Sequence, residues 1–312
     1  MNLQLDQLLS VPSKREEQLF DEITDLFIGA QQTAMMIQQQ IASAELLCAV
    51  YDHVRKYGIT EENRDLFAMS FESVGCDYSE ENILANAYHS VKNVIERIIK
   101  FLKEKVQVFF KKIKEWYRSI FKKKLQDAPK QPLTKEQEAE FNRRMTASTG
   151  SSNEGVADAS FKDLASIAQL VKEGKYIYVD NIIKVFTAII DALKQAISSI
   201  RNNKPISIPE EFNIQKQFGT PAEAGWADPV KIGKLMDTIN QLSDMYDDLL
   251  VEAYQLQKKI NKQEITMGED LMESLGGTID DSLNVMIAIR FTGRTAKKAI
   301  EIRESILKGE VD

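Results

Sequence analysis

Apolar residues recur every three or four positions over most of the chain, the spacing that lines side chains along one face of an α-helix. The longest unbroken case runs from Asn82 to Leu125. Its apolar positions are Leu84, Tyr88, Val91, Ile95, Ile98, Leu102, Val106, Phe109, Ile113, Trp116 and Ile120, in steps of 4-3-4-3-4-4-3-4-3-4. No Gly or Pro interrupts the stretch. The spacing therefore predicts a single rod of roughly 66 Å at about 1.5 Å per residue.

Proline marks where helices stop. All seven prolines lie at position 12, within 129–132, or within 205–229, leaving three long proline-free segments. The first predicts a helix from Ser13, with Ser13 and Glu16 as a capping box, and a stop at Gly58. A short helix follows from Thr60 to about Met69, and Ser79-Glu80-Glu81 opens the rod. Pro129 and Pro132 end the rod, a short polar helix covers Thr134 to Met145, and a Ser/Thr/Gly-rich linker follows. Ala157 to Ile200 resumes helical spacing, and Tyr176-Ile177-Tyr178-Val179 is read as part of that helix rather than as a strand. From Lys231 a heptad seam of Ile232, Leu235, Ile239, Leu242, Tyr246, Leu249, Ala253, Leu256 and Ile260 suits a bundle or a self-associating coiled coil. Gly276-Gly277 is expected to break it, with a last helix from about Ile279 to Leu307. The fold class is all-α: a long basic amphipathic helix plus a C-terminal helical bundle, with flexible linkers. The expected divisions are 1–72, 73–128, 129–157 and 158–312.

Charge sharpens this picture. The formal net charge is −7 over 312 residues, yet residues 82–125 carry 12 Lys/Arg against 3 Glu, a net of +9. Residues 1–72 carry 5 basic and 12 acidic side chains, a net of −7. The positive charge thus sits in one element with acidic segments on both sides.

Chemistry of the catalytic kind is missing from the pattern. Cys48 and Cys76 are too few for a disulfide framework or a zinc site, and both thiols are expected to be free in a reducing compartment. His53 and His89 have no neighbours at metal-ligand spacing. No phosphate loop, nucleophile elbow or zinc-protease motif is present. The row Asp244, Asp247, Asp248 and Glu252 reads as a solvated, unpaired helix face rather than a metal site. No enzymatic activity, metal or cofactor is expected. The N-terminus does not read as a secretory signal and no apolar run reaches bilayer length, which suits a cytoplasm-like space.

The rod admits three readings. Its apolar stripe packs in a bundle and its lysines are solvated; or its aromatic residues Phe101, Phe109, Phe110, Trp116, Tyr117 and Phe121 enter a membrane surface; or its cations meet nucleic-acid phosphates without reading bases. The contact candidates are Lys100, Lys103, Lys105, Lys111, Lys112, Lys114, Trp116, Arg118, Lys122, Lys123 and Lys124.

Phe67-Ala-Met-Ser-Phe-Glu-Ser-Val-Gly75, a polar spacer, and then the Lys/aromatic run from Val94 to Lys123 resemble an internal head protein of a large tailed bacteriophage. The resemblance covers about 60 residues. It implies an acidic propeptide that helps the chain enter the prohead core, and a prohead protease that cuts after Glu in a small-residue-x-Glu context. Ser70-Phe71-Glu72 stands at the matching place, with a new terminus at Ser73. Capsid and prohead components and the protease would be the partners, in the host cytoplasm during assembly and the capsid interior afterwards. The alternatives are a membrane-active helical protein and a non-enzymatic assembly adaptor that self-associates through Ile232–Ile260.

Overall fold

The computed structural model describes residues 3–73, 78–127, 129, 131–149, 174–201, 218–262 and 269–310. Its elements are α1 (Leu3–Tyr57), α2 (Glu61–Ser73), α3 (Ile83–Phe101), a π turn (Leu102–Val106), α4 (Gln107–Asp127) and α5 (Lys135–Thr149). There follow β1 (Tyr176–Ile177), α6 (Val179–Arg201), β2 (Phe218–Gly219), α7 (Pro229–Asn261) and α8 (Glu269–Lys308). The chain is all-α, as its periodicity predicts.

The rod forms as one continuous element, and its single irregularity has a cause in the sequence. The 3-4 alternation of apolar positions slips by one residue at Ile98-Leu102-Val106, where two fours fall in succession. In an ideal helix one extra residue would swing the following stripe about 100° around the axis. The π turn falls at this step, and the Gln107 N–H bonds back to the Leu102 carbonyl, five residues earlier. That wider turn absorbs the extra residue and keeps both halves of the stripe on one side. Leu84 departs from expectation, being exposed, and Tyr88 is half-buried; the buried stripe starts at Ile83 and Ala87, and the side chain of Ile120 lies outside the described residues.

Helices surround the rod on three sides. α1 lies along α3, the π turn and α4; α7 runs along the opposite flank; α8 packs on both α1 and the rod. The burial is broad for this reason, with adjacent pairs such as Val94/Ile95, Ile98/Ile99 and Phe109/Phe110 all inside. One hydrophobic cluster takes in side chains from α1 to α8, on both sides of the 129–157 stretch. Arg303 of α8 reinforces that join, its Nη2 donating to the carbonyls of Pro129 (2.7 Å) and Gln131 (2.8 Å) where the rod ends.

Three expectations need correction. α1 begins at Leu3 and runs through Pro12, losing one backbone donor there. Tyr176–Ile177 is a short antiparallel strand on Phe218–Gly219, not helix. Gly174 takes φ 74°, a turn and not a helical conformation, and the Ile177 carbonyl accepts from Trp226 Nε1 at 3.0 Å; residues 157–173 of the expected helix lie outside the described residues. α8, finally, runs straight through Gly276-Gly277. Gly276 marks a close crossing on α1 instead of a stop, since a Cβ there would lie 3.2 Å from Ile41 Cγ2.

Candidate functional site: the basic rod and its acidic cover

The heptad seam on α7 is already occupied. Ile232, Leu235, Ile239, Leu242, Tyr246, Leu249, Leu256 and Ile260 are all buried within the chain, where α6 and the rod pack on α7. A seam filled from inside has no apolar face left for a second copy, so the self-association assigned to it is not available in this fold. Tyr246 shows how closely it is filled: its ring stacks on Phe110 at 4.7 Å between centroids.

The acidic row on α7 also differs from its sequence reading. Asp244 and Asp247 are paired, and with the rod. Lys114 Nζ meets Asp244 Oδ1 at 2.6 Å and Asp247 Oδ2 at 3.7 Å, while Gln107 Nε2 donates to Asp247 at 3.1 Å. Tyr117 Oη donates to Asp237 at 3.4 Å, and Lys103 lies over the Tyr254 ring at 5.8 Å. Near the far end Tyr88 Oη donates to the Ile260 carbonyl. Rising numbers on the rod meet falling numbers on α7, so the two helices run antiparallel with a polar seam beside their apolar one. Glu252 is held by Arg201 of α6 at 2.7 Å, and Asp248 is exposed.

The remaining contact candidates divide by which way they face. Lys112 reaches across to Glu22 of α1 at 2.8 Å and to Glu115 at 3.4 Å. The Glu22 hydrogen bond, opposed by partial burial, holds its ammonium above the usual lysine range. Lys105 is half-buried, and a Cβ on Gly29 of α1 would lie 3.6 Å from its Nζ. Lys100 is exposed, 4.0 Å from Glu104 one turn on. Lys111 and Arg118 are exposed and have no ion pair with any described residue. The side chains of Lys122, Lys123 and Lys124 lie outside the described residues. Arg97, Lys100, Lys103, Lys111 and Arg118 therefore make the rod's outward cationic stripe, with Glu104 and Glu115 among them. An open groove of about 690 Å³ beside it, between α4 and α7, carries Lys114 and Arg118 against Asp237 and Asp244. Opposite charges cancel there, so the groove is no anion pocket.

The aromatic side of the rod faces inward. Phe101, Phe109, Phe110, Trp116 and Phe121 are each 0–2% exposed. That placement corrects the expectation that these rings, and Trp116 among the contact residues, meet a membrane in the folded chain. Among the described residues no helix is long and apolar enough to cross a membrane. Trp116 sits in a pocket made by Phe20 (5.9 Å between centroids), Phe121 (5.2 Å) and Gly293 of α8. Arg290 and Arg294 of α8 lie over the Phe20 ring at 5.9 and 5.7 Å, tying α8 to the inner face of α1.

Ser70-Phe71-Glu72-Ser73 forms the last turn of α2, directly before the undescribed residues 74–77. Ser70 and Phe71 are buried, whereas Glu72 and Ser73 are exposed. Ser70 Oγ donates to the Leu66 carbonyl and Ser73 Oγ to the Ser70 carbonyl, both at 2.8 Å. A protease reads extended chain, so a cut after Glu72 requires this turn to unwind and Phe71 to leave the core.

Cys48 is buried, and Cys76 lies outside the described residues. No cluster of His, Cys, Asp or Glu with metal-binding geometry occurs among the described residues. Sequence reasoning missed one perturbed group. Burial, and after it the charge of Asp280, pushes the Asp281 carboxyl up to about 6. A carboxyl raised above its unfolded value near 3.9 favours folding when protonated, and that advantage fades as pH rises through about 6. Asp281→Asn is therefore expected to stabilise the fold by about 1–3 kcal/mol at pH 8 and hardly at all at pH 4. Urea midpoints at the two pH values check the sign.

With this geometry in hand, comparison with known proteins returns nothing to lean on: no family model, curated protein or solved structure matches the chain.

Proposed function

We propose that the protein is an internal head protein of a large tailed bacteriophage, without enzymatic activity. Residues 1–72 serve as its propeptide, and the prohead protease removes them by cutting after Glu72. The carrying observation is that α1, upstream of that bond, lies along the full length of the rod and supplies Glu22 to Lys112. The segment with net −7 thus packs on the segment with net +9 and pairs its Lys112, while Arg97, Lys100, Lys103, Lys111 and Arg118 stay outward.

Apolar burial holds the cover as firmly as charge does. Leu19, Ile23, Phe27, Ile37, Ile41, Leu47 and Val50 of α1 are all buried, at about 1.5–3 kcal/mol for each large side chain. Cutting one peptide bond does not expel such a helix. It turns an intramolecular cover into a separable one, which a competing partner then displaces. The outward stripe from Arg97 to Arg118 favours a polyphosphate as that partner, because phosphate contacts need cations and no base reading. A bilayer would require the aromatic side, which is buried while α1 stays in place. In this reading the chain enters the prohead in the host cytoplasm with other core components and remains inside the capsid beside DNA.

The test is the Glu72→Gln chain supplied during particle assembly. Particles are expected to contain it at full length, while the unchanged chain is shortened to begin at Ser73. Equal processing of both chains would overturn the assignment of Glu72.

A further inference from the structure

The outward face of α1 has an unusual chemistry for a surface helix. Between Leu26 and Tyr51 the only charged residue is Glu45, which is half-buried. The most outward positions follow 4-3 steps from Asp21 to Lys56, and every one of them is exposed. Within this stripe Ile28 is 46% exposed, Met35 65% and Leu46 40%. A solvated helix face normally carries charge, as α7 does with Asp244, Asp248 and Lys258. An uncharged stripe in heptad steps, roughly 33 Å long from Ile28 to Ala49, has the pattern of a helix-pairing seam.

We propose that this face binds the same face of a second copy of the chain, antiparallel, about a two-fold axis at Gln39. This inference stands apart from the phage reading, since it concerns the full chain alone. The order of residues selects the arrangement. Inverting the stripe about Gln39 sets Ile28 opposite Ala49, Met35 opposite Ala42 and Gln32 opposite Leu46, a large residue facing a small one in the first two layers and Gln facing Leu in the third. It also sets Asp21 opposite Lys56 and Asp25 opposite His53 at the two ends. A parallel pair would instead stack Met35 on Met35 and leave Ala42 and Ala49 facing themselves. It would also bring Asp21 against Asp21 and Lys56 against Lys56. Charge and shape both choose the inverted pair, and a two-fold contact of this kind closes on itself as a dimer.

Sedimentation equilibrium of the full-length protein over a range of concentrations is the first readout, with a reversible dimer expected. Met35→Glu combined with Leu46→Glu places like charges inside the seam. The variant is expected to weaken the dimer at least about 100-fold, with circular dichroism unchanged because both side chains point outward. Orientation is read by oxidative cross-linking: Asp21→Cys chains mixed with Lys56→Cys chains form a disulfide dimer, and neither does so alone. A monomer at every concentration would overturn the proposal. So would a dimer indifferent to the double substitution, or Asp21→Cys chains that cross-link to themselves.

Discussion

Trp116→Ala is expected to destabilise the protein by about 3–5 kcal/mol, the range for emptying a large aromatic site in a close-packed core. Trp116 is 2% exposed and sits where three helices meet, with Phe20 of α1 on one side and Gly293 of α8 on another. None of these elements can follow a shrinking side chain without pulling away from its other contacts, so the cavity stays largely open. The same site predicts a loss in the opposite steric sense. A Cβ on Gly293 would lie 2.7 Å from Trp116 Cζ3, so Gly293→Ala overpacks the joint and should cost about 1–3 kcal/mol. In the Trp116→Ala background that overlap is gone, and the Gly293→Ala penalty should largely vanish. Denaturant unfolding of the four chains checks both values and their coupling.

Removing residues 1–72 from the folded protein should raise its affinity for random duplex DNA by roughly 10- to 100-fold at low salt. The change takes away a net −7 and frees Lys105 and Lys112 from α1, whereas Lys114 remains engaged by Asp244 and Asp247. Five outward cations from Arg97 to Arg118 meeting five phosphates give a slope of log K against log salt of about −4.5, from about −0.9 per contact. Lys111→Ala should reduce that slope by about one without changing the response to sequence. Fluorescence anisotropy with a random duplex at several salt concentrations measures all three quantities.

Much of the fold is written in local spacing. The rod could be read from apolar steps alone, and even its π turn is visible as the doubled four at Leu102 and Val106. What local spacing does not carry is which face meets which helix. The seam at Ile232–Ile260 has the same pattern whether its partner is a second chain or α6 and the rod, and only three-dimensional packing decides. The acidic row at Asp244 and Asp247 could not be told from a solvated face for a related reason, since its partner Lys114 lies some 130 residues away. Gly276 misled because a glycine in a helical pattern signals either a stop or a close helix crossing, and the crossing with Ile41 is not local information. The triplet Ser70-Phe71-Glu72 was legible as a motif, but the burial of Phe71 was not. α1's outward stripe is not legible from spacing, because its Gln and Ala positions lack the apolar contrast that periodicity detects.

The proposed function requires that the acidic N-terminal segment be parted from the basic rod at one bond. Intact-mass measurement of the protein recovered from its natural source is the decisive test. A species that begins at Ser73 is expected; a chain present only at full length would contradict the proposed cleavage.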